Sequence, residues 1–67
     1  MIGQMRSVVE AHQYRTIEGQ IVDVVSASAY VTVYDALSPN NRTRLEDMSL
    51  ARAMDVVWKI LRHCTLQ

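Results

Sequence analysis

The sequence predicts an all-α fold, a small domain of three to four helices, on three observations. Leu50, Met54, Val57 and Leu61 recur at steps of four, three and four, which places them on one face of a helix. Ser38-Pro39 holds the only proline, and a serine before a proline is the form of a helix start, because the ring suits the first helical position and serine caps it. The connections between the helical stretches are very short, so the helices must turn back on one another.

Taken in order, Ser7-Val8-Val9-Glu10 has the form of a capping box, which predicts a helix over Val8–Glu18 with Gly19 in the left-handed conformation past its end. Its apolar stripe is thin: Met5, Val8, Val9, His12 and Ile17. His12, beside that face, reads as a packed histidine. Gln20–Val25 reads as extended chain or loop. A second helix follows from about Ala27 to Leu37, with Ser26 or Ser28 as its cap and Val31, Tyr34 and Leu37 facing in. The same stretch supports an alternative. The β-branched and aromatic residues of Thr16–Val25 and Tyr30–Asp35 could pair as strands, giving an α+β fold whose hairpin over residues 16–35 packs on two C-terminal helices. The connection Ser26-Ala27-Ser28-Ala29 is a poor tight turn, which favours the helix.

Pro39–Asp47 is the next helix, with Leu45 and Met48 facing in. Met48-Ser49 breaks it, and the closing helix runs over Ser49–His63, capped by Ser49. Asp55 and Lys59 pair at i, i+4, and Lys59, Arg62 and His63 suit the negative end of the helix dipole. Thr65–Gln67 is expected to fray. The predicted core is Val31, Tyr34, Leu37, Leu45, Met48, Leu50, Met54, Val57, Trp58 and Leu61.

At 67 residues the chain holds one domain, spanning residues 1–67, and buries roughly 60% of its unfolded surface. Cores of this size supply only about 3–5 kcal/mol, and one cysteine rules out an internal disulfide, so self-association is expected. The lone Cys64 suits a reducing compartment. No apolar run is long enough to span a membrane, and the N-terminal stretch has no continuous apolar core of a signal peptide, so the cytosol is the expected location. The net charge is zero, where a nucleic-acid-binding domain shows a basic excess. The charge is divided, however. Residues 1–38 hold two arginines against four acids, a net of −2, and residues 39–67 hold five basic residues against three acids, a net of +2.

Few residues suggest chemistry. Glu46 and Asp47 diverge by about 100° on a helix and read as a solvated acidic pair rather than an acid–base couple. His63 and Cys64 are adjacent, with no second pair at metal-ligand spacing, so an exposed His63 and a buried Cys64 are expected. The two glycines build no phosphate loop. No cofactor, metal or catalytic residue is predicted, and an enzyme is not expected.

Pro39–Asp47 and Ser49–His63 have the outline of a helix–turn–helix, in which Arg52 would read bases while Arg42, Arg44 and Lys59 met phosphates. The turn Met48-Ser49 is shorter than usual and lacks glycine, and the second helix begins Leu50-Ala51, which offers little to hydrogen-bond. DNA regulation is therefore the alternative function. Ser26–Leu61, with the run VYDALSPNNRTRLEDMSLARAMDVVWKIL, resembles a small helical protein type that recurs in phages of actinobacteria. That resemblance implies a phage-encoded accessory protein in a bacterial host cytosol, and small proteins of this kind often bind a host protein.

The expected function is protein binding, to itself or to a host protein. The motive is the apolar surplus that three short helices cannot bury, above all Ile17, Ile21, Val22, Val24 and Val25, the expected interface residues.

Overall fold

The computed structural model describes the backbone of residues 1–65 and the side chains of residues 1–63. The order of elements is α1 (Ile2–Ala11), β1 (Arg15–Ile17), β2 (Gln20–Val22), α2 (Val24–Ala36), α3 (Pro39–Asp47) and α4 (Leu50–Thr65). The fold is mainly α, as the all-α expectation has it, and it also contains a small antiparallel hairpin, as the alternative has it.

The hairpin is shorter than the one over residues 16–35 that the alternative expects, and it turns elsewhere. Arg15 pairs with Val22, Thr16 with Ile21 and Ile17 with Gln20, leaving Glu18-Gly19 as the two-residue turn. Both turn residues have positive φ, 51° and 78°, as the hairpin turn matched to strand twist requires. Gly19 thus serves the hairpin and does not terminate a helix. The helix expected over Val8–Glu18 is instead α1, six residues earlier at its start, and it ends on His12, which takes the left-handed conformation at φ 55° and stands exposed rather than packed. Ser7 and Glu10 lie inside α1, so the capping box is not used.

Asp23 starts α2. Its carboxylate accepts from the Ser26 amide at 2.8 Å, which fixes the helix start three residues ahead of expectation. Four of its residues (Ala27, Ala29, Tyr30 and Val33) are buried, and they spread widely around the axis, because α2 packs against both α1 and α4. Alanines at the contact let the helices approach closely. The start and end of α3 match expectation, with Pro39 at the first position after Ser38. In α4, Leu50, Ala53 and Val57 form the buried line at steps of three and four, and the Asp55–Lys59 pair forms at 3.0 Å.

The core therefore centres on Met5, Val8, Ile17, Val22, Tyr30, Leu45, Leu50 and Val57 with the alanines between them. Of the expected core, Leu45, Leu50 and Val57 are fully buried. Val31, Tyr34, Leu37, Met48, Met54 and Leu61 pack around its margin, and Trp58 is 42% exposed. α1 and the hairpin supply Met5, Val8, Ile17 and Val22 to the core, none of which the expected core includes. Cys64's side chain and residues 66–67 lie outside the described residues; Thr65 closes α4.

Candidate functional site: the groove between α3 and α4

The short α3 and the following α4 are not closely paired, and a gap lies between them. Leu37, Leu45, Met48, Val56 and Ile60 floor the gap between them, a groove of about 210 Å³ with Asn41 and Arg44 on its rim. Ser38-Pro39 and the break at Met48-Ser49 position this site locally. They hold α3 to nine residues, of which Leu45 is buried, and Val56 and Ile60 of α4 stay half-buried. Among the described residues, no carboxylate lines the groove.

Arg42, on the same helix, is engaged inside the molecule. Its Nε donates to the Tyr34 carbonyl and its Nη2 to the Asp35 carbonyl, both at 2.9 Å, and the guanidinium lies 5.2 Å from the centre of the Tyr34 ring. These carbonyls close the last turn of α2, where helices leave acceptors unmet. Arg42 is a helix cap with a cation–π contact, a use of arginine that the expectation of phosphate contact missed.

The polar centre of the molecule is Glu46, which departs from its expected place as one of a solvated acidic pair. Its carboxylate accepts from the Met1 ammonium at 3.0 Å, the Ile2 amide at 2.9 Å and the Tyr30 hydroxyl at 3.0 Å. It thereby caps α1 from 45 residues away, at the helix end where negative charge is favoured. Burial pushes the Glu46 carboxyl up, but the ammonium, the Tyr30 hydroxyl and the Ile2 amide outweigh it and hold the group below its ordinary value. Burial, then the bond to Glu46, pushes the Tyr30 phenol well above its ordinary value. Asp47 is exposed. A second depression of about 240 Å³ opens beside this cluster, bordered by Gln4, Glu18, Glu46 and Met48, but Glu46 has its partners already, and Glu18 accepts from the Leu50 amide at 3.3 Å.

Three further acids have structural partners: Asp35 with Arg6 across α1 and α2 at 2.6 Å, Asp55 with Lys59, and Asp23 with the Ser26 amide. Among the described residues, no three His, Cys, Asp or Glu side chains come together as a metal site would need. No described helix is long and apolar enough to cross a membrane.

The structure separates the five interface candidates. Ile17 and Val22 are the inward residues of the hairpin, 5% and 3% exposed, so they are spent on the core and are corrected from surface to interior. The period-two alternation puts them on one face and Ile21 on the other. Val24 is half-buried, packed against the core. Ile21 and Val25 stand in solvent. Of the nucleic-acid candidates, Arg44 lies on the groove rim, Arg52 is exposed in the first turn of α4, Lys59 is paired with Asp55 and Arg42 is turned inward. The close helix pairings are α1 with α2 and α2 with α4, rather than the α3–α4 pairing of a helix–turn–helix.

No family model, curated protein or solved structure matches the chain. The groove is partly legible in the sequence, since Leu37, Leu45 and Met48 read as inward-facing and Ile60 widens the apolar stripe of the closing helix. Val56 escapes that reading, because it flanks the main apolar line of α4.

Proposed function

We propose that the protein is a non-enzymatic protein-binding module whose docking surface is the α3–α4 groove. The observation that carries this is the apolar floor of Leu37, Leu45, Met48, Val56 and Ile60, left open beside a helix, α3, whose Glu46 is committed to holding α1 and α2. A concave apolar strip with a polar rim is the form taken by grooves that receive an apolar segment of another chain. The resemblance of residues 26–61 to phage helical proteins supports an accessory role in a bacterial cytosol, where the occupant is a host protein or the protein itself.

The test is a pull-down from bacterial lysate with a C-terminal tag, which leaves the Met1 amino group to Glu46, using wild type and Ile60→Glu, each with and without nuclease. A co-expressed untagged copy of the chain is included. Circular dichroism confirms that the variant is folded, and Arg44→Glu serves as a second groove variant on an exposed side chain. The expected result is a protein retained by wild type through nuclease treatment and lost with both variants. Retention unchanged in both variants, or recovery that nuclease abolishes, overturns the proposal.

A further inference from the structure

Two exposed apolar side chains take no part in the core or the groove. Ile21 points outward from β2 with 72% of its surface in water, and Val25, in the first turn of α2, has 67%. Asp23 stands between them in sequence, exposed, with one carboxylate oxygen taken by the Ser26 amide. This stretch of five residues at the junction of β2 and α2 is a knob that carries two exposed aliphatic side chains and a negative charge. We propose that this knob docks in the α3–α4 groove of a second copy of the chain. The inference rests on the groove being a docking surface and names its occupant.

Charge supports the pairing. Among the described residues, the groove has Arg44 on its rim and no carboxylate in its lining, while the knob centres on Asp23. The amide bond from Ser26 favours the ionised carboxylate, so the negative charge persists at neutral pH. The wider molecule repeats the pattern, since residues 1–38 carry −2 and residues 39–67 carry +2. Arg15 ends the hairpin near the knob, and Glu18 is held against the start of α4 by the Leu50 amide. Size also fits. A cavity of about 150 Å³ takes a six-carbon ring, so the groove of about 210 Å³ accepts the Ile21 side chain with part of Val25.

A chain cannot fill its own groove. The knob sits where α2 begins, and Leu37 lies where α2 ends, 13 residues on, a separation of about 20 Å along the helix. Val56 and Ile60 lie roughly 9 and 15 Å along α4 from Leu50, the residue that meets the hairpin through Glu18. The contact therefore joins two different surfaces on two molecules. Each copy has one knob and one groove, and the two can be disabled separately. A contact of this size belongs among weak, transient associations.

The experiment uses Ile21→Glu, which disables the knob, and Arg44→Glu, which reverses the charge of the rim. Both side chains are exposed, so both variants keep the fold. Sedimentation equilibrium is measured over roughly 10 µM to 1 mM, the range where weak association is read. The expected result is a wild-type mass that rises with concentration and at least a tenfold weaker association for each variant alone. An equimolar mixture of the two variants is expected to recover association, because the intact groove of one meets the intact knob of the other. A wild type that stays monomeric throughout overturns the proposal, even where a host protein is captured through the groove. Association that persists in either variant, or a mixture that fails to associate, overturns it as well.

Discussion

Replacing Glu46 by glutamine keeps the shape of the side chain and removes its charge. The carboxylate holds an ammonium, an amide and a hydroxyl, each at 2.9–3.0 Å. Hydrogen bonds to charged groups contribute about 1.5–3 kcal/mol against about 0.5–1.5 for neutral ones, so loss of the charge costs about 1 kcal/mol. Its interaction with the start of α1 adds about 0.3–1 kcal/mol. The Glu46 side chain is 26% exposed, and solvent screening keeps the total to about 1–1.5 kcal/mol. For a domain of this length each kcal/mol moves the melting temperature by about 4–8 °C, so Glu46→Gln is expected to melt roughly 5–10 °C lower.

The acid dependence carries a second signature. The folded-state pKa of Glu46 lies below its ordinary value of 4.5. Its contribution is therefore complete above that value and is lost as pH falls through the lowered folded value. Thermal melts by circular dichroism from roughly pH 7 to pH 3 should show the gap between wild type and Glu46→Gln closing as the solution becomes acid. Tyr30→Phe in both backgrounds completes a double-mutant cycle, with a coupling of about 0.5–1.5 kcal/mol expected between residues that share a bond. A gap below about 0.3 kcal/mol at neutral pH, or one that stays constant into acid, refutes the role given to Glu46.

Three further perturbations separate local causes. Gly19→Ala meets no atom within 4 Å, but it places a side chain at φ 78°, so it should destabilise by about 1–2 kcal/mol in urea melts, while Gly19→Asn loses less. Gly3→Ala also meets open space, now inside α1, and should stabilise by about 0.5 kcal/mol in the same melts. Arg42→Lys keeps the charge and loses the fork that spans the Tyr34 and Asp35 carbonyls. A loss of about 1 kcal/mol is expected, together with faster amide exchange in the last turn of α2 by NMR.

The parts of the fold legible in the sequence are those fixed by neighbours along the chain. Proline after serine at 38–39 sets the start of α3, and the spacing of Leu50, Met54, Val57 and Leu61 sets α4. The parts that escaped depend on distant or uncommon partners. The start of α1 is capped by a carboxylate 44–45 residues away, so no local residue announces it, and the nearby Ser7-Glu10 pair misdirects. The hairpin turns on Glu18-Gly19 rather than on asparagine or aspartate before glycine, and Glu18 at φ 51° is held by its reach to the Leu50 amide. The groove was half legible. Its apolar residues could be assigned to inward faces, but that they would be left uncovered depends on how α3 departs from α4, which no periodicity records. The knob was legible as an apolar surplus, and only the alternation of β2 divides Ile21 from Val22.

The tether from Glu46 to residues 1 and 2 bears on how the chain acquires its structure during synthesis. A ten-residue helix standing alone is too short to persist in water, and α1 emerges from the ribosome long before the carboxylate that caps it. Closing a span of about 45 residues costs about 3 kcal/mol of chain entropy, which the packing of α1 on α2 must help to offset. A nascent chain halted short of residue 46 would therefore hold residues 2–11 largely uncoiled, so α1 is secured only after the helix that carries its capping carboxylate has been made.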